Sequence, residues 1–332
     1  MRLLSISADP KILQEGSAVQ ARQLEHARGV EELHIIVFTD RTGIEHSLAP
    51  NCFVYPTRSR SRLMRPFDAI RLGRFIIERR RITDIMCQDP FFTGMAGVSL
   101  RKQFGRRLEI QVHTDIGSPH FAYSIANRIR KAMGLSFLPK ADHIRVVSER
   151  IKTYLVEKAG ITADKIEVRP IAVDTDAVKN AIVTPATDLH VKYPQFDRII
   201  LMASRLTREK NIGLALEAMP TILERKPKTG LVIVGEGPLE GRLARDARAL
   251  GISDSVIFGS WADKPALYSY YKTCEAFLVT SLFEGYGMTL VEAAAAGARI
   301  ISTDVGVARE VGARIIAWDV GDVARAIENL LL

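Results

Sequence analysis

Short apolar runs alternate with longer amphipathic stretches along almost the whole chain. The apolar runs of the first half read RLLSIS, LHIIVFT, CFVYPT, DIMCQ, LEIQVH, HIRVVS and KIEVRP. Those of the second half read IILMAS, GLVIVG, SVIFGS, AFLVTS, RIISTD and RIIAW. Because strands that alternate with helices form βαβ units, this pattern predicts parallel sheets. The nearly continuous apolar character of the runs indicates sheets that are covered on both faces.

The alternation weakens once, in the stretch NAIVTPATDLHVKYPQFDR between residues 180 and 198. This stretch contains two prolines and shows no clear period, so we interpret it as a linker. The length of 332 residues also suits two domains better than one. The sequence therefore predicts an α/β protein with two doubly wound domains, at residues 1–180 and 181–332.

Composition narrows the class of protein. Hydrophobic residues make up 47% and charged residues 25% of the chain, and no apolar run reaches the roughly 18–20 residues that span a bilayer. The first residues, MRLLSISADP, become polar too soon for a secretory signal, so we expect a cytoplasmic protein. Cys52, Cys87 and Cys274 lie far apart, which argues against a disulfide framework or a zinc site.

Two glutamates flank the predicted start of a helix that follows the strand AFLVTS. The helix is expected to begin near Met288, and Gly287 before it allows a ligand to approach the backbone closely. Unpaired amides at such a helix start form an anion site. Glu284 precedes this start, and Glu292 lies about one turn inside the helix, where a carboxylate suits the hydroxyls of a ribose. The alternative is two solvated glutamates beside an ordinary turn.

Two further strand ends carry candidate ligand-binding residues. The stretch IILMASRLTREKNIG places Arg205 and Lys210 directly after a strand, where two cations can clamp a diphosphate. The stretch IVGEGPLEGRL places Gly235 and Gly237 in a tight turn before the next helix. Taken singly, the first stretch could be a solvated basic loop and the second a routine turn.

Together these strand ends resemble a known family. The stretches SRLTREKNI, IVGEGPLEGRL, EGYGMTLVEAAAAG and ISTDVG are similar to those of the retaining nucleotide-sugar glycosyltransferases of family four, which have the GT-B fold. The most specific mark is the E-x7-E pattern of Glu284 and Glu292. The resemblance covers the second half of the chain and, more loosely, the first. It implies two Rossmann-like domains that face each other across a cleft, with the acceptor on the N-terminal domain and the nucleotide sugar on the C-terminal one.

The resemblance also implies roles for single residues. Glu284 would contact the donor sugar and Glu292 the nucleotide ribose, while Arg205 and Lys210 would hold the diphosphate. The backbone that would border the sugar and phosphate belongs to Gly287, Met288 and Thr289, and Gly235 would belong to the nucleotide-binding loops.

The first half matches the family less closely. Family members often carry two adjacent glycines after the first strand, whereas this chain has the single Gly16, which we expect to border a phosphate. His113 ends the stretch EIQVH, and the resemblance puts a histidine here beside the reacting carbon; by itself a strand-end histidine is more often structural. The residues expected to act in catalysis are thus His113, Arg205, Lys210 and Glu284.

The expected reaction moves a sugar from a nucleoside diphosphate to an acceptor hydroxyl and keeps the anomeric configuration. Two cations and helix amides can stabilise the departing phosphate, so we expect neither a metal nor another cofactor. The DTD sequence at Asp174–Asp176 looks like a metal-binding pattern, but it lies near the domain junction and we do not interpret it as a magnesium site. No convincing protein nucleophile is present, and the family expectation is a front-face reaction.

The net charge of +8 comes mainly from one segment, in which nine arginines between Arg58 and Arg81 are opposed only by Asp68 and Glu78. One interpretation is that this segment docks to the inner face of an anionic membrane, where a lipid-linked or glycan acceptor is located. The other is that Ile70, Phe75, Ile76 and Ile77 face the core while the arginines are solvated. Nucleic-acid binding is disfavoured because the segment lacks stacking aromatics.

Other classes of function stay open at the level of sequence. They are a non-catalytic protein that binds sugar nucleotides, a sugar-nucleotide epimerase on the same architecture, and a nucleic-acid-binding protein. The donor base, the sugar, the acceptor and the oligomeric state leave no mark in the residues.

Overall fold

The computed structural model describes residues 1–40 and 44–331. The chain divides into two compact units, Met1–Pro170 (unit 1) and Ile171–Leu332 (unit 2). This division lies ten residues before the boundary expected from the sequence. The intervening segment contains the short helix α6, Thr175–Lys179, which packs against the helix that follows Gly287 in unit 2.

Unit 1 is an eight-stranded sheet with helices on both faces. The strands are β1 Arg2–Ser7, β2 Glu32–Val37, β3 His46–Ala49, β4 Cys52–Pro56, β5 Asp84–Cys87, β6 Arg107–Val112, β7 His143–Val146 and β8 Ile166–Val168. The helices are α1 Ala18–Arg28, α2 Arg65–Arg80, α3 Phe92–Phe104, α4 Ile125–Phe137 and α5 Glu149–Glu157. The strand order is β3-β4-β2-β1-β5-β6-β7-β8, and all pairs are parallel except β3 with β4.

The direction of the connections puts α1 alone on one face of this sheet. Right-handed crossovers that run from β1 to β2 and from β5 to β6 lead in opposite directions, so their helices lie on opposite faces. The core under α1 contains Leu3, Leu33 and Val54. On the other face, α3 packs so closely that a Cβ on Gly97 would lie 2.2 Å from the sulfur of Cys87. The α1 face of β6, β7 and β8 carries mainly polar side chains.

Unit 2 is a six-stranded, wholly parallel sheet. Its strands are β9 Arg198–Ala203, β10 Thr229–Val234, β11 Val256–Gly259, β12 Ala276–Val279, β13 Ile300–Thr303 and β14 Arg314–Ile316. After α6 its helices are α7 Leu189–Lys192, α8 Ile212–Arg225, α9 Glu240–Ala249, α10 Lys264–Thr273, α11 Met288–Ala295 and α12 Val320–Leu330. The order β11-β10-β9-β12-β13-β14 is that of dinucleotide-binding folds, and it reverses between β9 and β12.

The core of unit 2 lies on both faces of its sheet. Successive residues of β9 alternate between the two faces, with Ile200 and Met202 under α8, α9 and α12, and Ile199 and Leu201 under α10 and α11. All four are at most 2% exposed, and each such side chain stabilises the fold by about 1.5–3 kcal/mol. This double burial is the reason that the strands are apolar throughout.

Each apolar run that the sequence predicts as a strand contains one. The short edge strand β3 was missed, because its four residues HSLA are half-exposed or exposed and carry no apolar alternation. In α2 the core-facing interpretation is right for Ile76 and Ile77, which are buried, and wrong for Phe75, which is 46% exposed.

Candidate functional site

The strand order of unit 2 marks where a ligand is expected. In open parallel sheets, ligands bind beyond the carboxyl ends of the strands at the point where the order reverses. The loop after β9 carries Arg205 and Lys210, and the loop after β12 carries Glu284. The two loops are joined by a backbone hydrogen bond of 2.8 Å, from the N–H of Leu282 to the carbonyl of Glu209. Three residues singled out from the sequence therefore share this edge of the sheet.

Lys210 and Glu284 form an ion pair at this edge. Lys210 Nζ lies 2.5 Å from Glu284 Oε1, and the two side chains are only 15% and 17% exposed. The hydroxyl of Ser281 donates to the same carboxylate oxygen at 2.7 Å. Both donors thus bind Oε1, and Thr280 holds the backbone of Lys210 through a 3.0 Å hydrogen bond to its carbonyl. The carboxylate is held in one orientation by residues of the two loops that follow β9 and β12.

Arg205 is not part of this ion pair. Its guanidinium donates to Glu209 Oε1 at 3.0 Å, and the side chain is 65% exposed. Thr207 donates to the same oxygen at 2.8 Å. An exposed ion pair of this kind contributes little to stability, so Arg205 can exchange Glu209 for another anion at small cost.

The start of α11 offers backbone donors to the same edge. Gly287 precedes the helix with φ +91°, a conformation that favours glycine, and among the described residues no side chain caps the first turn. The first amides of a helix lack intrahelical partners and carry the positive end of the helix dipole. Gly287, Met288 and Thr289 therefore present N–H groups suited to an anion.

Gly306, in the loop after β13, holds the turn before α11 in place. It has φ +50°, and a Cβ there would lie 2.2 Å from the carbonyl oxygen of Tyr286 and 3.2 Å from Cβ of Glu284. The N–H of Val307 donates to the same Tyr286 carbonyl at 2.9 Å. The loop after β13 thus packs directly against the turn that carries Glu284.

Glu292 is buried, not solvated. It is 6% exposed, and the hydroxyl of Tyr271 donates to its Oε2 at 3.2 Å. Burial raises the pKa of Glu292, against the opposing effects of the Tyr271 hydrogen bond and the Lys264 charge. Tyr271 packs edge-on against Phe277 with ring centres 5.0 Å apart. A carboxylate so poorly neutralised inside a domain is typical of functional positions.

Gly235 has a packing reason to be glycine. Its φ is +142°, and a Cβ would lie 2.0 Å from the carbonyl oxygen of Ser204. A Cβ on Gly237 would lie 2.5 Å from the carbonyl of Leu206. The glycine loop after β10 therefore packs against the loop that carries Arg205, and it shapes the site through that loop.

In unit 1, His113 follows β6 at the carboxyl edge of the sheet. The residue as a whole is exposed, and Nε2 of its ring lies 3.1 Å from Gln111 Oε1. Desolvation by the surrounding protein, and secondly the charge of Arg145, lower the pKa of His113 to about 4. The ring is therefore neutral at pH 7 and can donate one hydrogen bond and accept one.

Gly16 and Asp174 have local partners. Gly16 has φ +72° and open space where a Cβ would lie, but its N–H donates to Gln20 Oε1 at 3.1 Å, so this amide already has an acceptor. Asp174 caps α6, because its Oδ1 accepts from the N–H of Ala177 at 2.9 Å. A capping role accounts for the first aspartate of the DTD sequence.

Two family models match the chain. The model of glycosyl transferases group 1 matches residues 190–314, and that of glycosyltransferase family 4 matches residues 19–177. The chain belongs to the family 4 glycosyltransferases. The group 1 match includes the whole edge of unit 2 described above, from Arg205 to Gly306.

Relatives of this chain include a component of the phosphatidylinositol N-acetylglucosaminyltransferase of Arabidopsis thaliana, 27% identical over 80% of this chain and 58% of the relative. A second is the N-acetylgalactosamine-N,N'-diacetylbacillosaminyl-diphospho-undecaprenol 4-alpha-N-acetylgalactosaminyltransferase of Campylobacter jejuni, 27% identical over 62% of this chain and 53% of the relative. The chain thus spans a little over half the length of these relatives.

Solved structures with the same fold are GT-B glycosyltransferases. Sucrose-phosphate synthase from Thermosynechococcus elongatus matches 100% of this chain and 90% of its own with a TM-score of 0.79 at 18% identity. HepE from Anabaena, in complex with UDP and glucose, matches 100% and 90% with a TM-score of 0.73 at 16% identity. In the described part of the chain, no helix is both long and apolar enough to cross a bilayer.

Sequence reasoning missed several residues that contact the candidate site. Ser281, Tyr271 and Gln111 are not among the candidate residues that the sequence offers. A signal existed for Tyr271, since a tyrosine whose neighbours are apolar needs a partner for its hydroxyl. Ser281 and Gln111 carry no such signal, because their roles depend on loop geometry and strand register.

Proposed function

We propose that the chain transfers a sugar from a nucleoside diphosphate sugar to an acceptor hydroxyl, with retention of the anomeric configuration. The observation that carries the proposal is the half-buried Lys210–Glu284 pair, which lies beside the uncapped start of α11 at the strand-order reversal. Such an edge combines a cation, backbone N–H donors and a carboxylate, and these are the groups that a diphosphate and a sugar require. UDP and glucose in the fold neighbour HepE support a uridine diphosphate donor.

The proposed roles follow from charge and exposure. Lys210 and Arg205 bind the diphosphate, and the amides of Gly287, Met288 and Thr289 bind the phosphate next to the sugar. When the phosphate takes over Lys210, Glu284 is released to accept hydrogen bonds from sugar hydroxyls. Glu292, with one oxygen on Tyr271, accepts from the ribose hydroxyls. For His113, at the carboxyl edge of the unit 1 sheet, the proposed role is a hydrogen bond to a substrate hydroxyl.

Catalysis in this proposal is electrostatic. The nucleoside diphosphate leaves with developing negative charge, which the two cations and the helix amides stabilise without a metal ion. Removing one preorganised donor of this kind costs about 3–4 kcal/mol, or a factor of about 100–1,000 in kcat. A leaving phosphate oxygen takes the proton of the attacking hydroxyl on the same face, so the anomeric configuration is kept.

The experiment is a turnover assay with a panel of UDP, GDP and ADP sugars, read as nucleotide release and sugar product. Glu284→Gln and Lys210→Ala should each lower kcat by about two orders of magnitude. Lys228→Ala, at a side chain 68% exposed in the same unit, is the matched control. Donor turnover that survives Glu284→Gln would refute the proposal. Nucleotide binding without turnover would favour a non-catalytic binding protein. An epimerised donor would favour an epimerase.

We further propose that the acceptor is lipid-linked and that α2 docks to an anionic membrane. The observation is a row of exposed apolar side chains among the arginines, with Leu63 73%, Met64 45%, Phe67 57% and Phe75 46% exposed. Apolar side chains that insert beside cations are typical of surfaces that bind anionic lipid. The Arabidopsis and Campylobacter relatives, whose names contain phosphatidylinositol and diphospho-undecaprenol, support a lipid acceptor.

Vesicle sedimentation tests this docking. The protein should bind phosphatidylglycerol-containing vesicles and not pure phosphatidylcholine vesicles, and replacement of Arg58, Arg60 and Arg62 by glutamate should abolish binding. The control makes the same change at three arginines of α9: Arg242, Arg245 and Arg248. Salt screens the attraction between the arginines and the lipid but not the insertion of apolar side chains. Phe67→Ser should therefore bind more weakly than the wild type at high salt. Equal binding by the Arg58/Arg60/Arg62 variant and the α9 variant would refute the docking surface. Salt-sensitive oligonucleotide binding would favour nucleic acid.

A further inference from the structure

A continuous chain of polar side chains leads away from His113 on the α1 face of unit 1. Strand register aligns it, because Glu109 lies opposite His143 and Gln111 lies opposite Arg145. Gln111 Nε2 lies 2.9 Å from Glu109 Oε1, and Glu109 Oε2 lies 3.1 Å from His143 Nδ1. His143 Nε2 in turn lies 3.3 Å from Glu167.

The direction of each hydrogen bond follows from the chemistry of the groups. A carboxylate only accepts hydrogen bonds, so the side of Gln111 that faces Glu109 is its NH2 group. The amide oxygen of Gln111 is then the atom that faces His113, at 3.1 Å from Nε2. An amide oxygen also only accepts, and Nε2 of His113 must therefore carry the proton.

We propose that Gln111 is a positioning residue, which Glu109 orients and which holds His113 in the Nε2–H tautomer with the lone pair on Nδ1. In this tautomer Nδ1 accepts a hydrogen bond from a substrate hydroxyl. The hydrogen bond to the substrate rests on the proposed function, whereas the tautomer of His113 does not.

The surroundings of His113 keep its ring neutral, so the tautomer decides whether Nδ1 donates or accepts a hydrogen bond. Desolvation and the Arg145 charge lower the pKa of His113 to about 4, so at neutral pH the ring has a single proton. Among the described residues, the other charged and titratable groups on this face include Glu109, His143, Glu167 and Arg169 and, from α1, His26. Burial lowers the pKa of His26 as well, with Arg145 acting in the same direction and Glu109 in the opposite one. A neutral imidazole presents either a donor or an acceptor at Nδ1, and Gln111 selects the acceptor.

The tautomer can be read directly from the ¹⁵N spectrum of protein labelled at histidine, with the His113 signals assigned by their loss in His113→Asn. The wild type should show a protonated Nε2 and an unprotonated Nδ1. Gln111→Met removes the acceptor and should give a mixture of tautomers. Gln103→Met, at an exposed position of α3, should change nothing. A wild-type ring protonated at Nδ1, or an unchanged ring in Gln111→Met, overturns the proposal.

Kinetics supply a second readout. Gln111→Met should lower kcat about tenfold, the size of one hydrogen bond, with no further loss when it is combined with His113→Ala. Gln111→Glu places a carboxylate against Nε2, favours the doubly protonated ring and should make kcat fall at low pH and recover as the pH rises. An unchanged pH profile in Gln111→Glu overturns the positioning role.

Two outcomes separate this inference from the proposed function. If His113→Ala transfers sugar as well as the wild type does, His113 has no part in the reaction, whether or not the tautomer is as stated. If Gln111→Met fails to fold, as judged by circular dichroism, Glu109→Gln replaces it. That substitution lets the Gln111 amide flip, and it should produce the same mixture of tautomers; a single Nε2–H form would overturn the proposal.

Discussion

At the scale of the residue, the ribose-binding role proposed for Glu292 conflicts with the stability of the fold. Its carboxylate is 6% exposed and receives one described hydrogen bond, from Tyr271, while Lys264 acts only at longer range. Burial raises its pKa above the value in the unfolded chain. The stability linked to its protonation is therefore fully present below the unfolded pKa and is lost as the pH rises through the folded pKa. At neutral pH the ionised form destabilises the fold.

Glu292→Gln should consequently raise the melting temperature by a few degrees at pH 8 and have almost no effect below pH 4. The neutral amide keeps an acceptor for Tyr271 and removes a buried charge. The same change should weaken nucleoside diphosphate binding about tenfold or more, because hydrogen bonds to a charged group are lost. Calorimetry at several pH values checks the first effect and titration the second. The control is Glu217→Gln, at an exposed position of α8. If the melting temperature of Glu292→Gln rises equally at all pH values, the buried charge is not the cause.

At the scale of the element, the turn before α11 is held by its neighbours in space. Gly306→Ala would drive a Cβ against the Tyr286 carbonyl, from which it would lie 2.2 Å away, so the turn that carries Glu284 must shift. We expect kcat/KM for the donor to fall by more than about tenfold, since small displacements of catalytic groups are costly.

The matched control for this substitution is Gly312→Ala. Gly312 also has a positive φ, +75°, but no atom lies within 4 Å of an added Cβ. Both variants carry the strain of a non-glycine residue in the left-handed region, about 1–2 kcal/mol. The melting temperature should therefore fall in both variants, whereas kcat/KM for the donor should fall only in Gly306→Ala. Equal kinetic losses in the two variants would show that strain alone is responsible.

Elements also show what a sequence can and cannot reveal. The strands were predictable because burial on both faces makes a run such as TGLVIV apolar throughout. Arg205, Lys210 and Glu284 were predictable as a group because the ends of parallel strands meet at one edge. The hydrogen bonds of Ser281 and Gln111 depend on loop path and register, which arise from contacts distant in the chain. The division into compact units lies ten residues before the expected boundary, because α6 packs on α11 across more than a hundred residues of the chain.

At the scale of the whole molecule, two units with separate cores predict two unfolding events. Both tryptophans, Trp261 and Trp318, belong to unit 2, and the indole N–H of Trp318 donates to the Ser281 carbonyl at 3.0 Å, beside the candidate site. Tryptophan fluorescence thus reports unit 2 alone, whereas far-ultraviolet circular dichroism reports both units. The two signals can separate the response of each unit to a ligand.

A nucleoside diphosphate that binds unit 2 should raise the fluorescence midpoint and leave a second dichroism transition, that of unit 1, unmoved. At about 100 times its Kd the ligand adds about 2.7 kcal/mol, or roughly 5–10 °C for a unit of this size. Lys210→Ala should reduce this shift, and Lys228→Ala should not, because the Lys228 side chain is 68% exposed and lies outside the site. If both signals instead moved together through a single transition, the units would unfold as one cooperative body and the nucleotide would stabilise more than unit 2.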